Sequence, residues 1–413
     1  MIIKYLPLFL LILPLVQAED FPFTQSADEE FKKGFESTEG ITLAEKQDTE
    51  EDKLRIGGTL MSEFNYVDVG PTFGNPNTLW MYGDSRLKND LRGYVKGRLI
   101  YDPTLDETQR SPLTGNANKK ENLDLEEVKL QLNLKKKVFL TVGKQKIKWG
   151  SGKFWNPTDF VNSMKRNMLR PDDERLGVGM VKAHIPIRNS NFYLISLLDD
   201  ANTPSKLGTA FRLEVPFSSS ELALSSAFRQ ARHTIYGFDF STALWDLDVY
   251  AEIAYSKGSD KIFYDQYGTS FKRANDPITN WVAGLQYEYK YSDQDTFTLN
   301  LEYFQNEEGL KDAADYPMAI LNFAYSPFYL SNHYAMAMLT LPKPGRLEDY
   351  SFTLYDLMNL TDKTTYLKLE ITYTGIQDLA ATLGLGAHFG DEKGELRLGG
   401  QDFDATARLR ITF

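Results

Sequence analysis

The chain has 413 residues, 42% apolar and 25% charged, enough for one large domain or two ordinary ones. Its net charge of −11 gives no support to a nucleic-acid partner, and the absence of cysteine excludes a disulfide framework. The histidines, His184, His233, His333 and His388, have no ligand-like spacing, so no metal site and no cofactor is expected.

Residues 1–18, MIIKYLPLFLLILPLVQA, carry one lysine, an apolar run from Tyr5 to about Val16 and a small-residue ending. This reads as a secretory signal cut after Ala18, because the run is shorter than the roughly 20 residues of a spanning helix. Residues 19–53 hold twelve acidic residues against four lysines, the composition of a solvated periplasmic segment. Residues 54–413 are then close to charge balance and form the folded domain.

From Leu54 the dominant period is two. In LRGYVKGRLIY (91–101), Leu91, Val95, Leu99 and Tyr101 alternate with Arg92, Lys96 and Arg98. In EEVKLQLNL the split is Val128, Leu130, Leu132 and Leu134 against Glu127, Lys129, Gln131 and Asn133. WDLDVYAEIAY, TFTLNLEYF, YLKLEITY and ATARLRITF repeat the pattern.

A soluble antiparallel sandwich also alternates. Many of these strands, however, reach the roughly 9–11 residues of a tilted membrane strand. Trp149, Trp245, Tyr255, Trp281, Tyr303 and Phe413 end apolar faces, where interfacial girdles belong. Short connections at 135–137, 188–191, 218–220 and 291–295 alternate with long ones at 102–122, 150–175, 257–279, 306–329 and 389–404. The expected fold is therefore all-β, a transmembrane antiparallel up-and-down β-barrel of about 18 strands, or about 16 if LKND (87–90) is mid-strand rather than a turn.

The stretch VGKQKIKW (142–149) puts Lys144, Lys146 and Lys148 on one face and Trp149 on the other. A lysine facing lipid costs roughly 2–4 kcal/mol near the midplane. The three lysines are accordingly expected to face the lumen, with Trp149 in the outer girdle and Val138, Leu140 and Val142 packed inside. The same rule assigns Arg92, Lys96, Arg98, Lys129, Arg408 and Arg410 to a basic wall of a pore. Asp239, Asp246, Asp248, Glu252, Glu288 and Glu302 form an acidic wall opposite it, a pattern that would set ion preference. The competing reading pairs these charges with one another.

The 150–175 connection is long, holds Pro157 and Pro171, and carries Lys153, Asp159, Lys165, Arg166 and Arg170. It is the candidate constriction, expected to fold partly into the lumen, and a cap on the rim is the alternative. At the C-terminus, Leu409, Ile411 and Phe413 end ATARLRITF on an aromatic, which resembles the recognition strand read by the barrel assembly machinery.

Residues 123–199 resemble a family of porin-like outer-membrane barrels of Gram-negative bacteria. The likeness rests on Gly143, Gln145, Ile147, Trp149 and Gly150 and on Trp155, Asn156, Pro157, Thr158 and Asp159, in a Gly-x-Gln-x-Ile-x-Trp-Gly strand and a Trp-Asn-Pro-Thr-Asp loop. The family is distantly similar to alginate-export-type and substrate-uptake porins. The resemblance implies an outer-membrane channel for passive diffusion of small hydrophilic or ionic solutes, with outer-membrane lipids, small solutes and the assembly machinery as partners. A substrate-selective or polysaccharide or lipid transport barrel and a closed structural barrel are the alternatives. No enzyme is expected: GSGK (150–153) lacks the spacing of a phosphate loop, and no Gly-x-Ser-x-Gly elbow occurs. An outer-membrane lipase would need His184 or His388 beside a serine.

Overall fold

The computed structural model describes residues 54–70, 72–87, 91–110, 116–161, 175, 177–199, 201–203, 206–230, 232–292 and 295–413. The signal and acidic segment expected over 1–53 lie outside the described residues.

The period-two segments form 18 antiparallel strands closed into one barrel. They are β1 (Leu54–Val67), β2 (Asn77–Leu87), β3 (Leu91–Tyr101), β4 (Glu121–Leu134), β5 (Val138–Gln145) and β6 (Val178–Ile187). There follow β7 (Ser190–Leu197), β8 (Gly208–Phe217), β9 (Ser220–Arg229), β10 (Ile235–Leu244), β11 (Leu247–Lys257) and β12 (Pro277–Lys290). The last six are β13 (Thr296–Gln305), β14 (His333–Pro342), β15 (Tyr350–Asn359), β16 (Thr364–Ile376), β17 (Leu379–Phe389) and β18 (Phe403–Thr412).

Each strand pairs with its neighbours in sequence, and β18 closes on β1 from Thr59↔Thr412 to Val67↔Asp404. Gly58 and Phe413 seal the seam by exchanging backbone hydrogen bonds of 2.8 and 2.9 Å. Closure leaves no sheet edge, which is what a β-structure in lipid requires. Leu87 pairs with Leu91, so no single strand runs through LKND and the count is 18 rather than 16.

Directly paired residues share a face, so the register sorts every strand. The outer face carries Leu130, Leu132 and Leu134 on β4, Leu299, Leu301 and Tyr303 on β13, and Leu409, Ile411 and Phe413 at the C-terminus. The inner face is polar at the short-turn end and apolar on part of the long-loop end. A bulge in β4, where Lys96 pairs with Glu127 and Gly97 with Leu125, turns both Glu126 and Glu127 inward. Among the described residues no helix is long and apolar enough to cross a membrane, and the one α-helix, α1 (Tyr316–Leu321), sits in the β13–β14 connection.

Strand β5 corrects the reading of VGKQKIKW. Val138, Leu140 and Val142 pair with Leu134, Leu132 and Leu130 and so face outward, not into the lumen. Thr141 and Gln145 face inward and are buried. The strand stops at Gln145. Gly143 has φ of 124°, and a β-carbon there would overlap the Val128 carbonyl, so the close approach to β4 needs glycine. Beyond Gln145 the chain leaves the sheet and alternation ceases. Trp149 is inside, 4% exposed, edge-on to Phe160 and beneath the Arg212 guanidinium, not in an outer girdle. Trp245 occupies a left-handed position in the exposed β10–β11 turn, while Trp281 and Tyr303 pack with tilted rings on the outer face.

Candidate functional site

The connection leaving β5 does not rise away from the barrel. Residues 147–161 enter the lumen and are held at two walls. On the near wall, Trp149 and Val161 pack with Met180, Ile195 and Ala210 of β6, β7 and β8. On the far wall, Phe154 and Trp155 enter a cluster of Val282, Phe304, Tyr334, Met336 and Leu357. Trp155 is fully buried, stacks on Phe304 with ring centroids 5.3 Å apart, and donates its indole N–H to the Phe328 carbonyl at 3.1 Å.

Two carboxylates fix the backbone between these anchors. Glu302 on β13 accepts the N–H groups of Lys153 at 2.7 Å, Phe154 at 3.2 Å and Trp155 at 2.7 Å, and the Tyr250 hydroxyl at 2.8 Å. Glu252 on β11 accepts the Gly152 N–H at 2.6 Å, the Thr158 N–H at 3.1 Å, the Thr158 hydroxyl at 2.7 Å and the Asn156 amide at 3.1 Å. A β-carbon at Gly152 would overlap the Trp155 carbonyl, so this tight cradle requires glycine. Asn156 also accepts from Arg175 at 2.8 Å, and Arg175 pairs with the buried Asp159. Burial pulls the Arg175 guanidinium down to about 10, so it remains charged at neutral pH.

The segment leaves β5 and is gripped by β11 and β13, six and eight strands further round an 18-strand ring. It therefore spans the lumen. Of the expected constriction residues, Asp159 is buried in the Arg175 pair and Lys153 is exposed, while Lys165, Arg166 and Arg170 lie outside the described residues.

The remaining inner wall is lined by ion pairs. Arg92 pairs with Asp84 at 2.7 Å, Arg98 with Asp124 at 2.8 Å, Lys129 with Glu127 at 2.8 Å and Arg408 with Glu63 at 2.8 Å. Lys96 lies 3.9 Å from Glu126, and Asp239 binds Arg212 at 2.6 Å. Arg410 faces inward opposite Met61.

Two separate walls of opposite sign are thus not what the barrel presents. The basic side carries its own carboxylates from the β4 bulge and from β1 and β2. On the acidic side Glu252 and Glu302 are consumed by the inner segment, Asp246 sits in the exposed β10–β11 turn, and Asp248 and Glu288 lie at the exposed short-turn end. The lysine triplet separates. Lys144 shares the outer face with Val128 and Val142, Lys146 turns to Glu126 at 2.9 Å, and Lys148 is exposed beyond the strand. The residues missed from the sequence are Glu126, Arg212, Lys368 and Glu370; the last two pair at 2.8 Å, and all but Glu126, which sits in the β4 bulge beside Glu127, alternate with apolar neighbours.

His388 bonds Asp404 and the Leu396 carbonyl, and His184 bonds Asn191 and stacks against Phe139 and Tyr193. Arg212 and Asp239 form a buried pair. Arg212→Ala leaves Asp239 buried without its cation and should lower stability by about 3–5 kcal/mol, read as a fall in the sample-heating temperature at which the folded band is lost in gel electrophoresis.

No protein-family model matches the chain, and no curated protein does. Solved structures with the same architecture include Acinetobacter baumannii OccAB1, with a TM-score of 0.56 at 10% identity, covering 88% of this chain and 97% of that one. Pseudomonas aeruginosa OccK11 (OpdR) gives 0.55 at 10% identity over 87% and 96% of the two chains. Acinetobacter baumannii OccAB3 gives 0.55 at 11% identity over 87% and 99%. At such identity the likeness establishes the fold: this chain is an 18-stranded closed antiparallel barrel of the kind seen in OccAB1.

Proposed function

We propose that the chain is an outer-membrane channel that passes small hydrophilic solutes by diffusion past a fixed constriction. The observation that carries this reading is the segment 150–161, stapled across a polar lumen inside a barrel whose outer face is apolar. Such a segment narrows the passage and, being held at both walls, sets a size limit. The exported destination, the assembly role of Leu409, Ile411 and Phe413 on the outer face, and passage rather than a reaction belong to the same proposal.

Ion-paired walls discriminate weakly between cations and anions. In planar bilayers under a salt gradient, the protein should open in discrete steps with a reversal potential near zero. Lys146→Gln releases Glu126 from its shortest ion pair and should move that potential modestly toward cation preference. A folded but silent barrel would instead support the closed structural reading.

A further inference from the structure

Among the described strand residues, carboxylate and ammonium groups occur on the outer face at Glu121, Lys144, Lys257 and Asp356. Glu121 opens β4 and Lys257 ends β11, where a headgroup layer accommodates charge. Asp356 is different. It pairs with Ala337 on β14 and Leu367 on β16, with Leu354 and Met358 along its own strand, three residues inside the end of β15. One of its carboxylate oxygens is enclosed and has no hydrogen-bond partner. A single methylene cannot carry the group up to the interface as a lysine stem would. An ionisable group held at membrane depth calls for a partner supplied there.

The complementary group is on the same chain. Lys144 lies on the outer face one residue inside the end of β5, between Val128 and Gly179, and forms no ion pair among the described residues. Its four-carbon stem reaches along an apolar surface. Small residues flank both positions, Ala335 and Ala337 beside Asp356 and Gly179 beside Lys144, which permits close approach of two backbones.

We propose that Asp356 and Lys144 are the two halves of a lateral contact between copies of this chain, the Asp356 face of one barrel meeting the Lys144 face of the next. β5 and β15 lie ten strands apart in a ring of 18, nearly opposite each other. A contact between opposite faces is heterologous and does not close, so it builds rows of barrels rather than a compact ring. The inference rests on the membrane reading of the outer face.

The absence of native cysteine allows a clean test in outer membranes containing the full chain. Val142→Cys and Met358→Cys place thiols on the outer face beside the two charges and leave the charges intact. Oxidation of the double variant should give a ladder of multimers. Asp356→Asn or Asp356→Lys should abolish the ladder, and Asp356→Lys with Lys144→Asp should restore it. Dimers formed by either single-cysteine variant alone would mean a symmetric contact and overturn the proposal. So would a ladder indifferent to Asp356→Asn, or monomers alone. Bilayer conductance of each variant, with its folded band on unheated gels, separates failure of the contact from failure of the channel reading.

Discussion

Replacing Glu252 and Glu302 together by leucine should raise single-channel conductance several-fold and make the open current noisy. The two carboxylates satisfy the backbone N–H groups of Gly152, Lys153, Phe154, Trp155 and Thr158, so their loss leaves a run of donors facing apolar side chains. Each buried donor without a partner costs about 1–3 kcal/mol, and water can relieve that only if the segment lifts from the wall. The Trp155 ring opposes release, because its burial is worth about 3–5 kcal/mol by the cost of large-to-small substitutions. The donors together outweigh the ring. Adding Trp155→Ala should therefore widen the channel further, whereas the paired Glu→Gln changes keep one acceptor oxygen at each site and should give an intermediate conductance. Unchanged conductance in the leucine variant, with the barrel folded, would show that 150–161 does not form the narrowing.

Most of the barrel was legible because a membrane strand announces its outer face by uninterrupted alternation, as Leu130, Leu132 and Leu134 do. The failure at β5 is instructive in physical terms. VFLTVGKQKIKW alternates apolar residues on both faces, so a cost assigned to exposed lysines decided the parity. That cost was applied to a strand assumed to run to Trp149, whereas it ends at Gln145 and Lys146 bends to Glu126. Hairpin geometry held the better signal. A three-residue turn at 135–137 sets Leu134 opposite Val138, and opposed residues share a face.

The inner site was half legible. Inward placement of Glu252 and Glu302 follows from alternation, and the length and prolines of 150–175 mark it as a special connection. Their meeting does not follow, since the groups joined are 100 residues apart for Gly152 and Glu252 and 147 for Trp155 and Glu302. Closure of the cylinder alone brings them together. The β4 bulge at Glu126 was equally hidden, because one extra residue leaves the flanking alternation intact on either side.

Channel noise should also rise as pH increases through neutrality, and Glu395 should be responsible. This carboxylate, in the β17–β18 connection, is buried and accepts the Tyr334 hydroxyl at 2.5 Å, the Phe328 N–H at 2.8 Å and the Asn359 amide at 2.9 Å. It ties that connection to Phe328, whose carbonyl holds the Trp155 indole. Burial first, then the nearby Asp362, push its pKa to about 7, while the three hydrogen bonds oppose the rise. The docked state thus holds the proton more tightly than a solvated carboxylate with an ordinary value of 4.5. Docking is strongest below that ordinary value, weakens as pH rises, and reaches its minimum above about 7. A shift of this size corresponds to about 3 kcal/mol, enough to change the undocked population many-fold. Recordings at about pH 5 should be quiet and those at about pH 8.5 should flicker. Glu395→Gln, which removes the charge, should flicker equally little at both, and Asp362→Asn, which removes the neighbouring repulsion that raises the Glu395 pKa, should move the onset to lower pH. Persistence of the full pH response in Glu395→Gln would assign it to another group.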